Sequence, residues 1–325
     1  TETFHPWPAP VELLPADLPH GIPPAGLSIH GDPVAAAEEA LALDFPCLEL
    51  RPRDFSFSRP SLDDAIDRWR GRGPRYLSYH LPNLTWNPDA GRIEGEEAMR
   101  DHLSCALDAG VESLTAHVPR ATSLDMGMDD GCARRPTDAW RTFEDATVRL
   151  FEEPVRSGVR LAIENIHNPR GTPAASPNRS FTTRIDEYLL WIDTVSDLLC
   201  SGGNGAVGAL LDVGHARNNG GELDNLQPLG DWYARVGKRI LGYHIHQVDV
   251  SPQTGKLSNH LAIENPFGPR ISYAGFLWAW STRQTNRAPI FVEIRDEAGR
   301  RETVVKLLQL FREADRITHM ADIVW

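Results

Sequence analysis

The sequence predicts an α/β fold, a single (βα)8 TIM barrel of eight parallel strands surrounded by helices, on three observations. A short apolar segment is followed by a polar loop and an amphipathic helical pattern, and this unit recurs eight times along the 325 residues. Strands that alternate with helices form parallel sheets with right-handed crossovers, and eight such units close into a barrel. No linker-like segment divides the repeat, so we expect one barrel domain over residues 26–325.

Hydrophobic periodicity identifies each element, because strands alternate apolar and polar residues whereas helices repeat every three to four residues. The predicted strands are 26–30, 47–51, 75–80, 113–118, 160–165, 208–213, 240–246 and 289–295. The predicted helices are 33–43, 61–71, 95–109, 138–157, 183–200, 274–284 and 300–314, with a weaker one near 225–238.

Residues 1–25 are rich in proline and show little periodicity, so we expect an N-terminal extension outside the barrel repeat. Long polar segments follow the fourth, fifth and seventh predicted strands, at 119–137, 166–182 and 247–272. In a barrel of this type the loops that follow strands carry the active site. We therefore expect the functional residues at this end of the barrel.

Composition favours small-molecule chemistry over nucleic-acid binding. The formal net charge is −12, and a phosphate backbone is bound by clustered lysine and arginine. No apolar run is long enough for a membrane span, and no secretory signal is visible. The four cysteines lie far apart, which fits isolated thiols in a reducing compartment. We expect a cytoplasmic protein with a small-molecule substrate, and a homo-oligomer is compatible with the sequence.

Ionisable side chains fall at the carboxyl ends of the predicted strands. Alternation places Glu164, Asp212 and Glu293 on the faces opposite the apolar residues of their strands, which we expect to line the barrel axis. Carboxylates gathered in one small volume raise one another's pKa values and cost stability. A divalent cation removes the repulsion, and oxygen ligands with imidazole suit Mn²⁺, Mg²⁺, Co²⁺ or Zn²⁺. The sequence therefore predicts one divalent metal.

Four segments of the second half carry a resemblance to a known superfamily. LAIENIHNP, ALLDVGHARNNG, YHIHQVD and PIFVEIRD resemble strands five to eight of the xylose isomerase-like TIM barrels, which include tagatose 3-epimerase-type sugar epimerases, hydroxypyruvate isomerases, inosose dehydratases and endonuclease IV. The resemblance implies the metal ligands Glu164, Asp212, His246 and Glu293. His244 lies on the same face one layer deeper, where either a hydrogen-bonded core role or a site role fits. Asp249 could orient His246 or could be a loop residue.

The first hypothesis for function is an isomerase or epimerase of a small polyhydroxy carbonyl compound, acting by proton transfer through an enediolate. The metal would acidify the carbon-bound proton, and Glu164 and Glu293 would act as general base and acid. His215, in the D-x-x-H of LLDVGH, resembles a residue that contacts substrate or a second metal. Arg295 is a candidate for holding substrate oxygens, and a salt bridge to Asp296 or Glu49 is its alternative role.

Two further hypotheses use the same centre. His80 and His117 fall where endonuclease IV places further zinc ligands, so a second metal between them and Glu164 would indicate a metallohydrolase. The alternative role for His80 and His117 is substrate contact, or hydrogen bonding inside the barrel. The family's Asp-x-His after strand seven is replaced by SNHLAIENPFG, which keeps His260 but lacks the aspartate. A dehydratase of a polyol ketone would use the same metal and the same proton abstraction, and the sequence does not separate it from an isomerase.

Overall fold

A computed structural model describes residues 25–128, 138–168, 172–173, 175–200, 206–217, 227–251, 253, 257–268, 270–281 and 284–324. Within these residues eight parallel strands form a closed barrel, which confirms the predicted fold class. The proline-rich extension predicted over 1–25 lies outside the described residues except for Ala25. No helix of the described part combines the length and the apolar character that a membrane span requires.

The strands, in chain order, include all eight that the sequence predicts for the barrel. They are β1 (Ala25–Gly31), β2 (Cys47–Pro52), β3 (Tyr76–His80), β4 (Thr85–Asn87), β5 (Arg92–Glu94), β6 (Ser113–His117), β7 (Arg160–Glu164), β8 (Val207–Asp212), β9 (Ile240–Ile245), β10 (Gln247–Val250), β11 (Leu257–Leu261) and β12 (Ile290–Val292). The barrel closes in the order β1-β12-β9-β8-β7-β6-β3-β2.

Eight helices connect the strands in the described residues, at the predicted positions. They are α1 (Pro33–Ala42), α2 (Arg59–Arg70), α3 (Glu96–Asp108), α4 (Asp138–Arg156), α5 (Ile185–Cys200), α6 (Leu229–Val236), α7 (Ala274–Ser281) and α8 (Glu297–Val324). Local sequence explains where some begin. Asp32 caps α1 by accepting a hydrogen bond from the amide of Val34 at 2.9 Å, and a proline occupies the first helical turn.

The structure adds two antiparallel hairpins that the sequence analysis does not predict. One hairpin pairs β4 with β5 after the third barrel strand, and the other pairs β10 with β11 after the seventh. The structure also shortens the eighth barrel strand to Ile290–Val292, so Glu293 follows the strand rather than lying within it.

The barrel strands bury side chains on both of their faces. Apolar residues of the strands pack against the helices and form the main core, in which Leu48, Leu77 and Leu114 are fully buried. The face toward the barrel axis is polar instead. Strand pairing sets Ser28 of β1 beside Glu49 of β2, and Glu49 beside Ser78 of β3, so these side chains share one level of the barrel interior. The carboxyl ends of the barrel strands lie above this level.

Candidate active site

The three predicted carboxylates converge at the carboxyl ends of the barrel strands. Glu164 is the last residue of β7, Asp212 is the last of β8, and Glu293 follows β12. Glu164 and Asp212 are fully buried. Strand register brings His117 beside Glu164 and His244 beside Asp212. The parallel sheet therefore gathers carboxylates and imidazoles from five strands at one end of the barrel.

Glu164 is the centre of the histidine cluster. Its Oε2 lies 3.0 Å from the Nε2 of His80 and 3.0 Å from the Nε2 of His117. Its Oε1 lies 3.2 Å from the Nδ1 of His244 and 3.3 Å from the Nδ1 of His215. Burial alone would raise the pKa of Glu164, but the surrounding imidazoles lower it well below its usual value. The carboxylate is thus held in its ionised form.

The DVGH segment folds into a turn that faces the same point. The Oδ1 of Asp212 accepts a hydrogen bond from the amide of His215 at 2.7 Å, which closes the turn. The His215 ring lies 2.9 Å from the carbonyl of Asn165 through its Nδ1. Burial would lower the pKa of His215, but the carboxylates of Asp212 and Glu164 raise it to about 9.

Glu293 completes the carboxylate cluster from the opposite side. Its Oε2 lies 3.0 Å from the Nδ1 of His244, and its Oε1 is ion-paired with Arg51. Potential ligand atoms of Glu164, Asp212, His244 and Glu293 all lie within 4.8 Å of one another.

Two oxygens of this cluster test whether its residues fit a metal. Asp212 Oδ2 and Glu293 Oε2 are buried and accept no hydrogen bond of good geometry. Buried carboxylate oxygens that lack a well-aligned donor are costly in a folded protein, and a divalent cation would satisfy both. The donor set of hard oxygens and imidazole also suits such an ion. The residues present therefore fit the metal that the sequence predicts.

A buried Glu49–His244 pair lies directly beneath the carboxylates, and the sequence analysis did not assign it. The Nε2 of His244 lies 2.6 Å from Glu49 Oε1, and both side chains are fully buried. Glu49 also accepts hydrogen bonds from Ser28 at 2.7 Å and Thr115 at 2.6 Å. Burial would raise the pKa of Glu49, but the charges of His244 and His80 and the hydrogen bonds from His244 and Thr115 lower it to about 2. His244 therefore belongs to the site.

His246 lies at the edge of the cluster, just beyond the end of β9. Its Nε2 is 3.2 Å from Asp212 Oδ1, and the amide of His260 donates to its Nδ1 at 3.1 Å. The ring packs against Gly214, where an added Cβ would lie 1.9 Å from His246 Cε1. Asp249 lies on the exposed hairpin, where its carboxylate accepts a hydrogen bond from Arg270 Nε at 3.1 Å.

A cavity of about 830 Å³ opens above the cluster. Its volume is that of a small-molecule site. Of the predicted substrate-binding residues, His117, His215 and Arg295 line this cavity, together with Glu293. His80 is buried against Glu164 and is not among the lining residues. Arg295 forms no salt bridge in the described part of the chain, so the structure does not support its alternative role as an ion-pair partner of Asp296 or Glu49.

The fold and site define a closed parallel barrel with buried carboxylates and imidazoles where its strands end. The family model of the xylose isomerase-like TIM barrel matches residues 37–314, and the chain belongs to this family. This confirms the resemblance found in the sequence. Comparison of the sequence with curated proteins gives no match.

Solved structures of similar fold cover almost the whole chain. Endonuclease IV from Thermus thermophilus is 18% identical with a TM-score of 0.55, over 90% of this chain and 98% of that one. A D-tagatose 3-epimerase-like protein is 15% identical with a TM-score of 0.55, over 91% and 98%. A xylose isomerase-like TIM barrel protein from Mycobacterium smegmatis, in complex with magnesium, is 14% identical with a TM-score of 0.53, over 87% and 89%. At these identities the likeness establishes the fold.

Proposed function

We propose that the protein is a divalent-metal-dependent isomerase or epimerase of a small polyhydroxy carbonyl compound. The observation that carries the proposal is that Glu164 and Glu293, from the ends of two different strands, both reach one point in the cluster. Their nearest oxygens lie 3.2 Å and 3.0 Å from the same atom, His244 Nδ1. Two carboxylates that meet at one point suit a general base that removes a carbon-bound proton and a general acid that returns one.

The metal would be held by Glu164, Asp212 and Glu293 with imidazole from the end of β9. The family resemblance supports His246 as that ligand, and the geometry adds His244, whose Nδ1 lies 3.0 to 3.9 Å from all three carboxylates. When bound, the cation supplies a positive charge that stabilises the substrate oxygen as the neighbouring carbon loses its proton.

The remaining roles belong to residues that line the cavity. His215 holds its ring against Asp212 and Glu164, where it can donate to a substrate hydroxyl or carbonyl oxygen. Arg295, on the cavity wall beyond Glu293, can bind a further oxygen of the substrate. Positioning by these groups adds to the effect of the carboxylates, because a fixed geometry removes much of the entropic cost of the reaction.

Exchange of a carbon-bound substrate hydrogen with D₂O tests the proposal. The metal-loaded protein is screened by NMR over ketoses and keto acids, and Glu164→Gln and Glu293→Gln should each lower the exchange rate by roughly 100-fold or more. Loss of water from a polyol ketone in the same spectra would identify the dehydratase instead. Asp125→Asn, which alters a carboxylate of the cavity wall away from the cluster, should retain exchange. Absence of exchange on every compound would refute the isomerase proposal.

A metallohydrolase is the second candidate, because His80, His117 and Glu164 come together as that hypothesis requires. Both imidazoles lie 3.0 Å from the same carboxylate oxygen, Glu164 Oε2. The position two residues before His260 is Ser258, where the endonuclease pattern calls for aspartate. Metal analysis that gives two or three ions per chain, together with cleavage of abasic DNA, would favour the hydrolase. One ion per chain and no cleavage would favour the isomerase.

A further inference from the structure

Positive charge dominates the wall of the cavity above the carboxylates, although the chain as a whole is acidic. Three arginines line it, Arg51, Arg120 and Arg295, whereas its acidic lining residues are Asp125 and Glu293. Glu293 is paired with Arg51, and Asp125 accepts a hydrogen bond from the amide of Thr122 at 2.8 Å. Against a formal net charge of −12, this local excess of cations needs an explanation.

The excess of positive charge on the cavity wall is concentrated on the side formed by β2 and β12. A second cavity of about 430 Å³ adjoins the first there, and both are lined by Arg51, His260, Glu293 and Arg295. The second cavity adds Arg300, which is 8% exposed and has a buried Nε without a hydrogen-bond partner.

Two of the three arginines that line the first cavity, Arg120 and Arg295, form no ion pair among the described residues, and of these two only Arg295 also lines the second cavity. Arg51 is paired with Glu293, and Arg300 is paired with Glu39 at 3.0 Å. Arg295 has no ion pair among the described residues, and the neighbouring Asp296 accepts a hydrogen bond from the amide of Gly299 at 2.6 Å. A guanidinium without a counter-ion on a cavity wall is suited to bind an oxyanion of a ligand.

The electrostatic potential beside Arg51 is also positive at a neighbouring side chain, that of His30. His30 lines the second cavity, and burial together with the charges of Arg51 and Arg53 lowers its pKa. His30 is therefore held neutral, as a hydrogen-bonding group beside the arginines. Ser28, which lines the same cavity, donates to Glu49 at 2.7 Å.

We propose that the substrate carries an oxyanion group, a carboxylate or a phosphate, which binds between Arg51 and Arg295 where the two cavities meet. The inference rests on the proposed function and narrows its substrate to an anionic polyhydroxy carbonyl compound, a sugar acid or a sugar phosphate. The cavity volumes fit a small ligand, and the acidic net charge disfavours a polyanionic nucleic acid. Binding of the anion at this corner would place the rest of the substrate toward Glu293 and the carboxylate cluster.

Equilibrium binding by isothermal titration calorimetry tests the inference without requiring turnover. The ligands are a ketohexose, its 6-phosphate and the corresponding hexonate, with inorganic phosphate as competitor. We expect the phosphate or the hexonate to bind at least tenfold more tightly than the neutral sugar, and the tighter of the two identifies the group. Arg295→Gln should remove this tenfold preference, whereas Arg120→Gln, at an arginine that lines only the first cavity, should change it less than twofold.

Three results would overturn the inference. The neutral sugar could bind as tightly as both anions, Arg295→Gln could leave the preference intact, or an abasic DNA duplex could be the only anion that binds. Circular dichroism and thermal unfolding of both arginine variants identify any loss of folding. A selective anion site without D₂O exchange would support this inference and count against the proposed isomerase, so the two outcomes are distinguishable.

Discussion

Replacement of Glu49 by glutamine should weaken metal binding, although Glu49 lies below the proposed ligands. Glu49 faces four donors, because His244 lies 2.6 Å away and the hydroxyls of Ser28, Thr115 and Ser78 donate at 2.7, 2.6 and 3.3 Å. A glutamine keeps one acceptor oxygen and brings an amide group that donates, so one of these donors loses its partner. If His244 loses its partner, its Nδ1 is no longer fixed toward the carboxylates.

The expected magnitude follows from the hydrogen bond by which Glu49 would orient His244 as a metal ligand. Loss of such a partner typically lowers metal affinity by about 10- to 100-fold. The unpaired buried donor should also lower the free energy of unfolding by about 1–3 kcal/mol. The metal dissociation constant is measured by competition with a chromophoric chelator, and stability by urea unfolding of the metal-free protein.

A matched control separates metal binding from stability. Glu112 is another partly buried carboxylate, at the amino-terminal end of β6, where it accepts from the amide of Leu77 at 2.7 Å. Glu112→Gln should leave the metal dissociation constant within twofold of the wild-type value, whatever its effect on the free energy of unfolding. If Glu49→Gln also leaves that constant within twofold, His244 is not a metal ligand and the reasoning from its geometry is wrong.

Three further predictions concern the metal, a glycine and a histidine remote from the site. Mn²⁺ at about 100 times its dissociation constant should raise the free energy of unfolding by about 2.7 kcal/mol. Thermal unfolding measures this stabilisation, and addition of EDTA should reverse it. Gly214→Ala should weaken metal binding at least tenfold, because the added Cβ would lie 1.9 Å from His246 Cε1. Gly230→Ala is the control, since its Cβ would enter open space, and it should leave metal binding unchanged. His102, 2.8 Å from the hydroxyl of Tyr79, has a pKa lowered by burial, so the unfolded chain takes up its proton first. The wild-type protein should therefore lose stability relative to His102→Gln as the pH falls below about 6.5, and parallel pH profiles would contradict this.

The barrel could be predicted because its signals are local and repeated. Each strand carries the same alternation, and register in a parallel barrel then fixes which residues meet at the axis. The carboxylate positions follow from this, because Glu164 and Asp212 end their strands. The short hairpin Thr85–Asn87 with Arg92–Glu94 could not be predicted in the same way, since its stability depends on contacts across the loop rather than on a periodic pattern.

The role of His244 could not be decided from the sequence for a different reason. Alternation places His244 and His246 on the same face, but it does not say how deep each ring lies or what lies beneath it. The partner that distinguishes them is Glu49, 195 residues earlier in the chain. A signal was present, because Glu49 alternates with Leu48 and Leu50 in a strand of otherwise apolar character and so faces the axis. Only the closed barrel shows that this carboxylate meets His244.

The buried charged groups inside the barrel make folding less favourable than an apolar core of the same volume would. A functional site accounts for their presence, whereas a purely structural role does not. Four carboxylates, those of Glu49, Glu164, Asp212 and Glu293, are gathered there with the imidazoles that neutralise them. Well-packed apolar side chains of similar volume would often be as stable or more stable than buried ion pairs. Burial of His244 would favour its neutral form, yet Glu49 and Glu164 raise its pKa to about 10. Protonated His244, held by the ionised Glu49, thus presents its Nδ1 toward the point where the three upper carboxylates meet. If His244 Nδ1 serves as a ligand to a divalent cation, it must be deprotonated at that atom, so metal affinity and the protonation of His244 would be linked.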